Sequence, residues 1–180
     1  MILLLEGPDN GGKSSIMQEL CQMHEYGILV EKHITVDFKK MTFREDNKVE
    51  RTLDLVEASK AFHLNIWDRC YYPSDLIYNP TVEGKPSVIQ PHRNLIEYNM
   101  LLANTIIVFV TAEIPTLVKR LVSRGDEYVA ESQIKSICLG YLNFFKETPL
   151  PWYVVNTTSK DVYAATKQVA DIIDKHLGGV

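Results

Sequence analysis

Met1-Ile-Leu-Leu-Leu-Glu-Gly-Pro-Asp-Asn-Gly-Gly-Lys-Ser-Ser15 is the stretch that decides the fold. Its apolar residues 2–5 predict a β-strand, and a helical pattern begins after residue 14. Between them Gly7, four further residues and Gly12-Lys13-Ser14 have the G-x-x-x-x-G-K-[ST] spacing of a phosphate-binding loop. Glycines allow backbone amides to close around phosphate oxygens, and the following helix directs its positive N-terminal end at them. The stretch therefore predicts a nucleoside triphosphate site, in which Lys13 reaches the β- and γ-phosphates and Ser14 ligates Mg²⁺.

The composition is that of a globular protein with one α/β core. The chain has 180 residues, of which 46% are hydrophobic and 23% are charged. Its net charge of −4 does not favour binding to extended nucleic acid. Cys21, Cys70 and Cys138 lie far apart without metal-ligand spacing, which is typical of reduced thiols. Since no apolar run approaches membrane-spanning length, we expect a cytoplasmic protein without a membrane partner.

Apolar runs alternate with helical patterns after the opening strand. Strand candidates lie at residues 28–36, 63–67, 105–110 and 152–155, and helical spacing recurs near residues 49–62, 95–103, 114–122, 134–145 and 162–173. Residues 37–50 are charged and irregular, and three prolines mark residues 79–93 as a long loop. This alternation predicts one domain, 1–180, whose mostly parallel sheet is covered by helices on both faces. Ligands of such sheets gather at the carboxyl ends of the strands, here residues 6–7, 68–69, 111–112 and 156–157.

Two further motifs indicate which reaction the loop serves. Asp68-Arg69 ends a predicted strand, where Asp68 would hold water on Mg²⁺ or accept a proton and Arg69 would bind the phosphate of an acceptor. The alternative is a surface ion pair. Arg120 and Arg124-Gly125 suit a mobile lid, about residues 120–131, that neutralises charge on the transferring phosphoryl group, or else a solvated helix face. The Asn47-Lys48 pair lies too early in the chain to read guanine and indicates a solvated charge cluster.

The phosphate-binding loop, Asp68-Arg69 with Ser74 and Tyr78, and Arg120 with Arg124-Gly125 together resemble thymidylate kinases over most of the chain. The resemblance implies a P-loop kinase fold with a five-stranded parallel core. It also implies transfer of the ATP γ-phosphoryl group to a deoxynucleoside monophosphate with Mg²⁺, and it suggests a homodimer. Asn10 occupies the position where some members carry a catalytic arginine, which favours Arg124 of the lid for that role.

These patterns and the resemblance give a set of expected site residues. We expect catalysis from Lys13, Asp68, Arg69 and Arg124, and Mg²⁺ ligation by Ser14 and Asp68. The expected ATP-binding residues are Gly7, Asp9, Asn10, Gly11, Gly12, Lys13, Ser14, Ser15, Arg120 and Asn156. The expected residues for the small-molecule acceptor nucleotide are Asp9, Arg69, Tyr71, Ser74, Tyr78 and Arg44.

The sequence departs from the family on the acceptor side, which leaves the acceptor open. The family's Arg-Glu-Pro-Gly-Gly-Thr stretch is reduced to Arg44-Glu45-Asp46, and Ser74 and Tyr78 lie one residue further from Arg69 than usual. One alternative is a deoxynucleoside kinase, which needs a base for the 5′-hydroxyl, with Glu31 or Asp37 as candidates. Others are a kinase of a hydroxymethylated base, free or in DNA, and a nucleotide-binding module without turnover.

Overall fold

Five parallel strands form one sheet within the part of the chain that the structure describes. The structure is a computed structural model, and it describes residues 1–25, 35–40, 47–125 and 128–177. The strands are β1 (Ile2–Glu6), β2 (Val36–Lys40), β3 (Leu64–Asp68), β4 (Thr105–Thr111) and β5 (Trp152–Asn156). Their order across the sheet is β2-β3-β1-β4-β5, and each neighbouring pair is parallel. The phosphate-binding loop thus leaves the central strand of the sheet.

Helices cover both faces of this sheet. They are α1 (Lys13–Glu25), α2 (Lys48–Ala58), α3 (Tyr71–Tyr78), α4 (Arg93–Leu102), α5 (Ile114–Arg124), α6 (Glu131–Glu147) and α7 (Val162–Leu177). Leu3 and Leu5 pack in one buried cluster with residues of α1 and α7, whereas Ile2 and Leu4 pack in a second cluster with residues of α3, α4 and α6. Because β1 is buried on both faces, its sequence is continuously apolar rather than alternating.

Most of the predicted elements are confirmed, including the α/β class. The strands predicted at 2–5, 63–67, 105–110 and 152–155 each match an observed strand to within one residue at either end. All predicted helices are present with small shifts of their ends. The sheet is parallel throughout its described strands. None of the described helices is long and apolar enough to cross a membrane. The single-domain organisation stays a prediction.

The prediction of an irregular segment was wrong at residues 37–40, which belong to β2, and no helix was predicted at α3. Residues 26–34 and 41–46 lie outside the described residues, and only Val36 of the predicted strand 28–36 belongs to β2. The strand instead runs through Asp37 and Lys40, in a segment expected to be irregular. Among the described strands β2 pairs with β3 alone and lies at the edge of the sheet, so its side chains stay partly exposed and charged residues are tolerated.

Candidate active site

The phosphate-binding loop, residues 7–14, lies at the carboxyl edge of β1 and packs against β4. Gly7 has a backbone φ of +142°, and a Cβ atom there would lie 2.1 Å from the carbonyl oxygen of Val110. Lys13 begins α1, and its Nζ donates to the carbonyl oxygens of Gly7 at 3.0 Å and Pro8 at 2.7 Å. Burial, and then repulsion from Arg69, lower the pKa of Lys13 to about 7. A bound phosphate would favour the charged form of this lysine, because an opposite charge stabilises the ammonium group.

Ser14 and Asp68 meet beside the loop, as the predicted metal site requires. Ser14 Oγ donates to Asp68 Oδ2 at 2.6 Å. Asp68 ends β3 and is in register with Leu5 of β1, so the sheet itself brings the carboxylate to the loop. The described residues contain no group of three or more His, Cys, Asp or Glu side chains placed to hold a metal ion. One carboxylate and one hydroxyl, completed by phosphate oxygens and water, are nevertheless the ligands that Mg²⁺ commonly takes in nucleotide sites.

Arg69 follows β3 and lies at the centre of a buried polar cluster. Its Nη2 donates to Asp9 Oδ1 at 2.6 Å and to the Tyr78 hydroxyl at 3.0 Å, and its Nη1 lies 3.5 Å from Ser74 Oγ. Burial alone would lower the pKa of Arg69, but Tyr78, Tyr141, Asp9 and Glu6 raise it well above its ordinary value. The structure thus brings together the expected acceptor residues Asp9, Arg69, Ser74 and Tyr78.

Glu6 is a member of this cluster that was expected at a strand end but was not assigned to the site. It is fully buried, and its carboxylate accepts hydrogen bonds from Tyr141 Oη at 2.7 Å, the Cys70 backbone N–H at 2.9 Å and Ser74 Oγ at 3.1 Å. Burial raises the pKa of Glu6, and the nearby Arg69 guanidinium opposes that shift. The signal was present in the sequence, since an acidic residue closes an otherwise apolar strand.

A cleft of about 510 Å³ opens above the loop and the Arg69 cluster. The expected residues that line it are Asp9, Asn10, Gly12, Lys13, Ser14, Ser15, Asp68, Arg69, Ser74, Tyr78 and Arg124. The sequence reasoning missed the remaining lining residues, which are Lys40, Lys48, Asp75, Asn79, Glu83, Lys85 and Tyr128. Tyr128, which lies beyond Gly125 in the predicted lid, donates its hydroxyl to Glu83 Oε1 at 3.0 Å. The lid segment and the turn after α3 therefore meet across the cleft.

A side cavity of about 180 Å³ adjoins the cleft and shares Asn10, Gly12, Ser15 and Arg124 with it. Arg120 lines this side cavity, where its Nη1 donates to Asn10 O at 3.2 Å and Thr157 Oγ1 at 2.9 Å. Thr157 Oγ1 in turn donates to Gly11 O at 2.9 Å. Residues 156–157 were expected at a strand end, but only Asn156 was assigned to the ATP site, so the role of Thr157 was missed.

Several described residues that were expected in the site do not line either cavity. Asn156 is exposed and is not among the described residues that line either cavity. Its Oδ1 accepts a hydrogen bond from the Thr158 N–H at 2.9 Å. Tyr71 is 2% exposed and packs in the hydrophobic core rather than at the cleft. Gly7 and Gly11 are buried against Val110 and shape the loop from behind. Arg44 and Glu31 lie outside the described residues.

Comparisons with known proteins identify the fold. No family model and no curated protein sequence matches the chain. The YorR protein from Bacillus subtilis, solved in complex with phosphorylated GDP, superposes with a TM-score of 0.74 and 22% identity, covering 97% of this chain and 96% of its own. Deoxyadenosine kinase from M. mycoides with bound dATP gives a TM-score of 0.61 and 17% identity, covering 97% of this chain and 100% of its own. Thymidylate kinase from Ehrlichia chaffeensis gives a TM-score of 0.56 and 14% identity, covering 96% of this chain and 98% of its own. The chain therefore has the P-loop nucleotide kinase fold, with the five-stranded sheet that its sequence indicated.

Proposed function

We propose that this protein transfers the γ-phosphoryl group of ATP to a deoxynucleoside monophosphate, giving a deoxynucleoside diphosphate and ADP. The observation that carries the proposal is the contact of Ser14 with Asp68 beside Lys13, at one end of a cleft that continues into the Arg69 cluster. The cleft therefore has a phosphate-binding half and a second half with polar and aromatic side chains. The shared fold of two nucleotide or nucleoside kinases supports the assignment.

The residues of the phosphate-binding half have complementary roles. Lys13 places its ammonium group on the β- and γ-phosphates, and Arg124 adds positive charge from the end of α5. Ser14 and Asp68 would hold Mg²⁺, which when bound neutralises charge on the β- and γ-phosphate oxygens. Arg120 and the side cavity would take the base of ATP. These positions serve phosphoryl transfer well, because its catalysis consists mainly of positioning and charge stabilisation.

A monophosphate acceptor needs no proton acceptor from the protein. Its phosphate oxygen attacks the γ-phosphorus while the bond from that phosphorus to the β–γ bridging oxygen breaks, and the electron pair leaves on ADP. A phosphate monoester has a second pKa near 6, so the attacking oxygen is already deprotonated near neutral pH. The negative charge of the attacking phosphate must instead be balanced by cations of the cleft.

Each carboxylate that lines the cleft has a partner within the protein, which favours a monophosphate acceptor over a nucleoside that needs a proton acceptor. Asp9 pairs with Arg69, Asp68 accepts from Ser14, Asp75 pairs with Lys48 and Glu83 accepts from Tyr128. Of the two candidate bases for a nucleoside hydroxyl, Asp37 lies in the described part of the chain. It pairs with Lys39 at 2.8 Å and does not line the cleft. Homodimer formation and a cytoplasmic location stay predictions.

ADP release in the presence of magnesium and ATP tests the proposal with a panel of monophosphates and the corresponding nucleosides. We expect stimulation by at least one deoxynucleoside monophosphate. Lys13→Ala should lower kcat at least about 100-fold, because it removes a charge from the transferring phosphoryl group. Lys167→Ala is the matched control, since Lys167 is an exposed lysine of α7 that lines neither cavity.

Each other outcome identifies a different function. Phosphorylation of nucleosides but not of their monophosphates would assign a deoxynucleoside kinase, and transfer to a hydroxymethylated base, free or in DNA, would assign a base kinase. Tight ATP binding without transfer to any acceptor would identify a non-catalytic module. A Lys13→Ala variant with a rate within a fewfold of the parent would contradict the role given to the loop.

A further inference from the structure

The cleft contains more cationic groups than the donor triphosphate accounts for. Among the described residues, six cations and four carboxylates line it. Lys13 belongs to the phosphate-binding loop, and Arg124 lines both the cleft and the side cavity, so both lie on the donor side. Lys85 is 3.6 Å from Glu83 in an exposed turn. Arg69, Lys48 and Lys40 remain as groups that can receive the acceptor.

Arg69, which the sequence indicated as the acceptor's phosphate ligand, is already engaged by the protein. Its two terminal nitrogens carry four of the five guanidinium N–H groups. They contact Asp9 at 2.6 Å, Tyr78 at 3.0 Å, and the hydroxyls of Ser74 and Tyr141 at 3.5 and 3.4 Å. Glu6 adds a second buried carboxylate 4.0 Å away. Because its terminal N–H groups face protein acceptors and the shortest contact is to Asp9, the geometry of Arg69 suits a residue that positions Asp9.

Lys48 is held at the cleft by a buried carboxylate. Its Nζ donates to Asp75 Oδ1 at 2.6 Å, and the Asp75 side chain is fully buried. The other oxygen of Asp75 accepts from Ser87 Oγ at 2.5 Å and from the Ile89 N–H at 3.3 Å. An ammonium group has three N–H donors, of which Asp75 takes one. Asp75 is the neighbour in sequence of Ser74, so Lys48 lies beside the Arg69 cluster, and within the described residues Asp75 is its hydrogen-bond partner.

Lys40 lies on the opposite side of Asp68 from the phosphate-binding loop. It is the last residue of β2 and is in register with Asp68 of β3. It is exposed and lines the cleft, and within the described part of the chain no carboxylate forms an ion pair with it. A lysine at the end of a parallel strand is well placed to receive an anion, because ligands bind at that edge of the sheet.

We infer that Lys40 and Lys48 form the subsite for the anionic phosphate of the acceptor, whereas Arg69 is a positioning residue that holds Asp9. The inference rests on the proposed function and assigns the acceptor to the phosphorylated class. Two lysines act on a phosphate as point charges with several rotatable donors, so they neutralise a dianion without fixing the orientation of its base. The base is then selected elsewhere in the cleft.

Equilibrium binding and steady-state kinetics of Lys40→Gln and Lys48→Gln test this subsite. The probes are dTMP, dCMP, dGMP and dAMP, each compared with its nucleoside. We expect Kd and KM for the monophosphate that the parent turns over to rise at least about tenfold, with KM for ATP within about twofold. Binding of the nucleoside should stay within about twofold of the parent, because it lacks the phosphate. Lys48→Arg should retain most of the monophosphate affinity. Lys60→Gln is the matched control, since Lys60 is exposed and lies outside the cleft.

Lys48→Gln leaves Asp75 buried without a cation, so this variant risks failing to fold. Lys40→Gln carries no such cost, and Lys48→Gln with Asp75→Asn removes both charges of the pair. Unchanged monophosphate affinity in Lys40→Gln and in that double variant would overturn the inference, as would an equal loss for monophosphate and nucleoside. If the parent transfers phosphate to no monophosphate at all, the proposed function fails instead, so the two failures are distinguishable.

Discussion

Gly7 determines how closely the phosphate-binding loop approaches the sheet. Its φ of +142° is in a region that side chains rarely occupy, and an added Cβ would lie 2.1 Å from the Val110 carbonyl oxygen. Because this atom belongs to the backbone of a central strand, it cannot yield as a flexible side chain would. We expect Gly7→Ala to lower the free energy of unfolding by at least about 3 kcal/mol, measured by urea denaturation.

Gly84→Ala is the matched control for this prediction. Gly84 also has a positive φ, +64°, but no atom of the described residues lies within 4 Å of the Cβ position. Gly84→Ala should therefore lower the free energy of unfolding only by the left-handed backbone penalty of about 1–2 kcal/mol. Equal losses in the two variants would mean that backbone conformation alone, rather than the close contact with β4, makes glycine necessary at position 7.

The junction of β1, α3 and α6 depends on the Tyr141 hydroxyl. Tyr141 lies in α6, is fully buried, and donates to Glu6 Oε2 at 2.7 Å. Tyr141→Phe keeps the ring but removes a donor from a buried carboxylate. We expect the free energy of unfolding to fall by about 1–3 kcal/mol. Tyr163→Phe, at a tyrosine of α7 that is 62% exposed, should change it by less than about 0.5 kcal/mol in the same denaturation experiment. An unchanged stability in Tyr141→Phe would show that water or Ser74 satisfies Glu6 equally well.

Elements with a strong local pattern were predictable, and elements defined by long-range pairing were not. The strand in β4 is continuously apolar, and the loop carries its glycines at fixed spacing, so both were evident in the sequence. The edge strand β2 has the sequence Val-Asp-Phe-Lys-Lys, whose strand state depends on pairing with β3. No local signal distinguishes such a segment from a charged loop.

Contacts within the cleft were also difficult to predict from the sequence, because several of them join distant parts of the chain. The loop and Asp68 were predictable from motif and strand order. Asp75 and Lys48 meet across 27 residues and Arg120 and Thr157 across 37, and neither pair has a sequence motif. The loop and the Asp68 end of β3 could therefore be predicted from local motifs, whereas the contacts of Lys48 and Arg120 depend on the packing of elements that are distant in the sequence.

The thiol of Cys70 reports on the folding of the whole molecule. It is fully buried between β3 and α3, and burial raises its pKa to about 12. Because the folded state disfavours the thiolate, this group lowers the free energy of unfolding as the pH rises above about 9, where the thiol of the unfolded chain ionises. The native protein should therefore protect Cys70 from alkylation at pH 8, since only the thiolate reacts.

We expect iodoacetamide to label Cys70 only in molecules that have opened, whereas Cys21 and Cys138, which are half-buried, should react sooner. Peptide mapping by mass spectrometry separates the three rates. If opening is fast relative to labelling, magnesium and ATP at 100 times Kd should slow Cys70 labelling about 100-fold, because such binding adds about 2.7 kcal/mol to folding stability. Labelling of Cys70 as fast as that of Cys138 in native buffer would contradict the burial of the β3–α3 junction. A labelling rate that ATP leaves unchanged would mean that this junction opens without releasing the nucleotide.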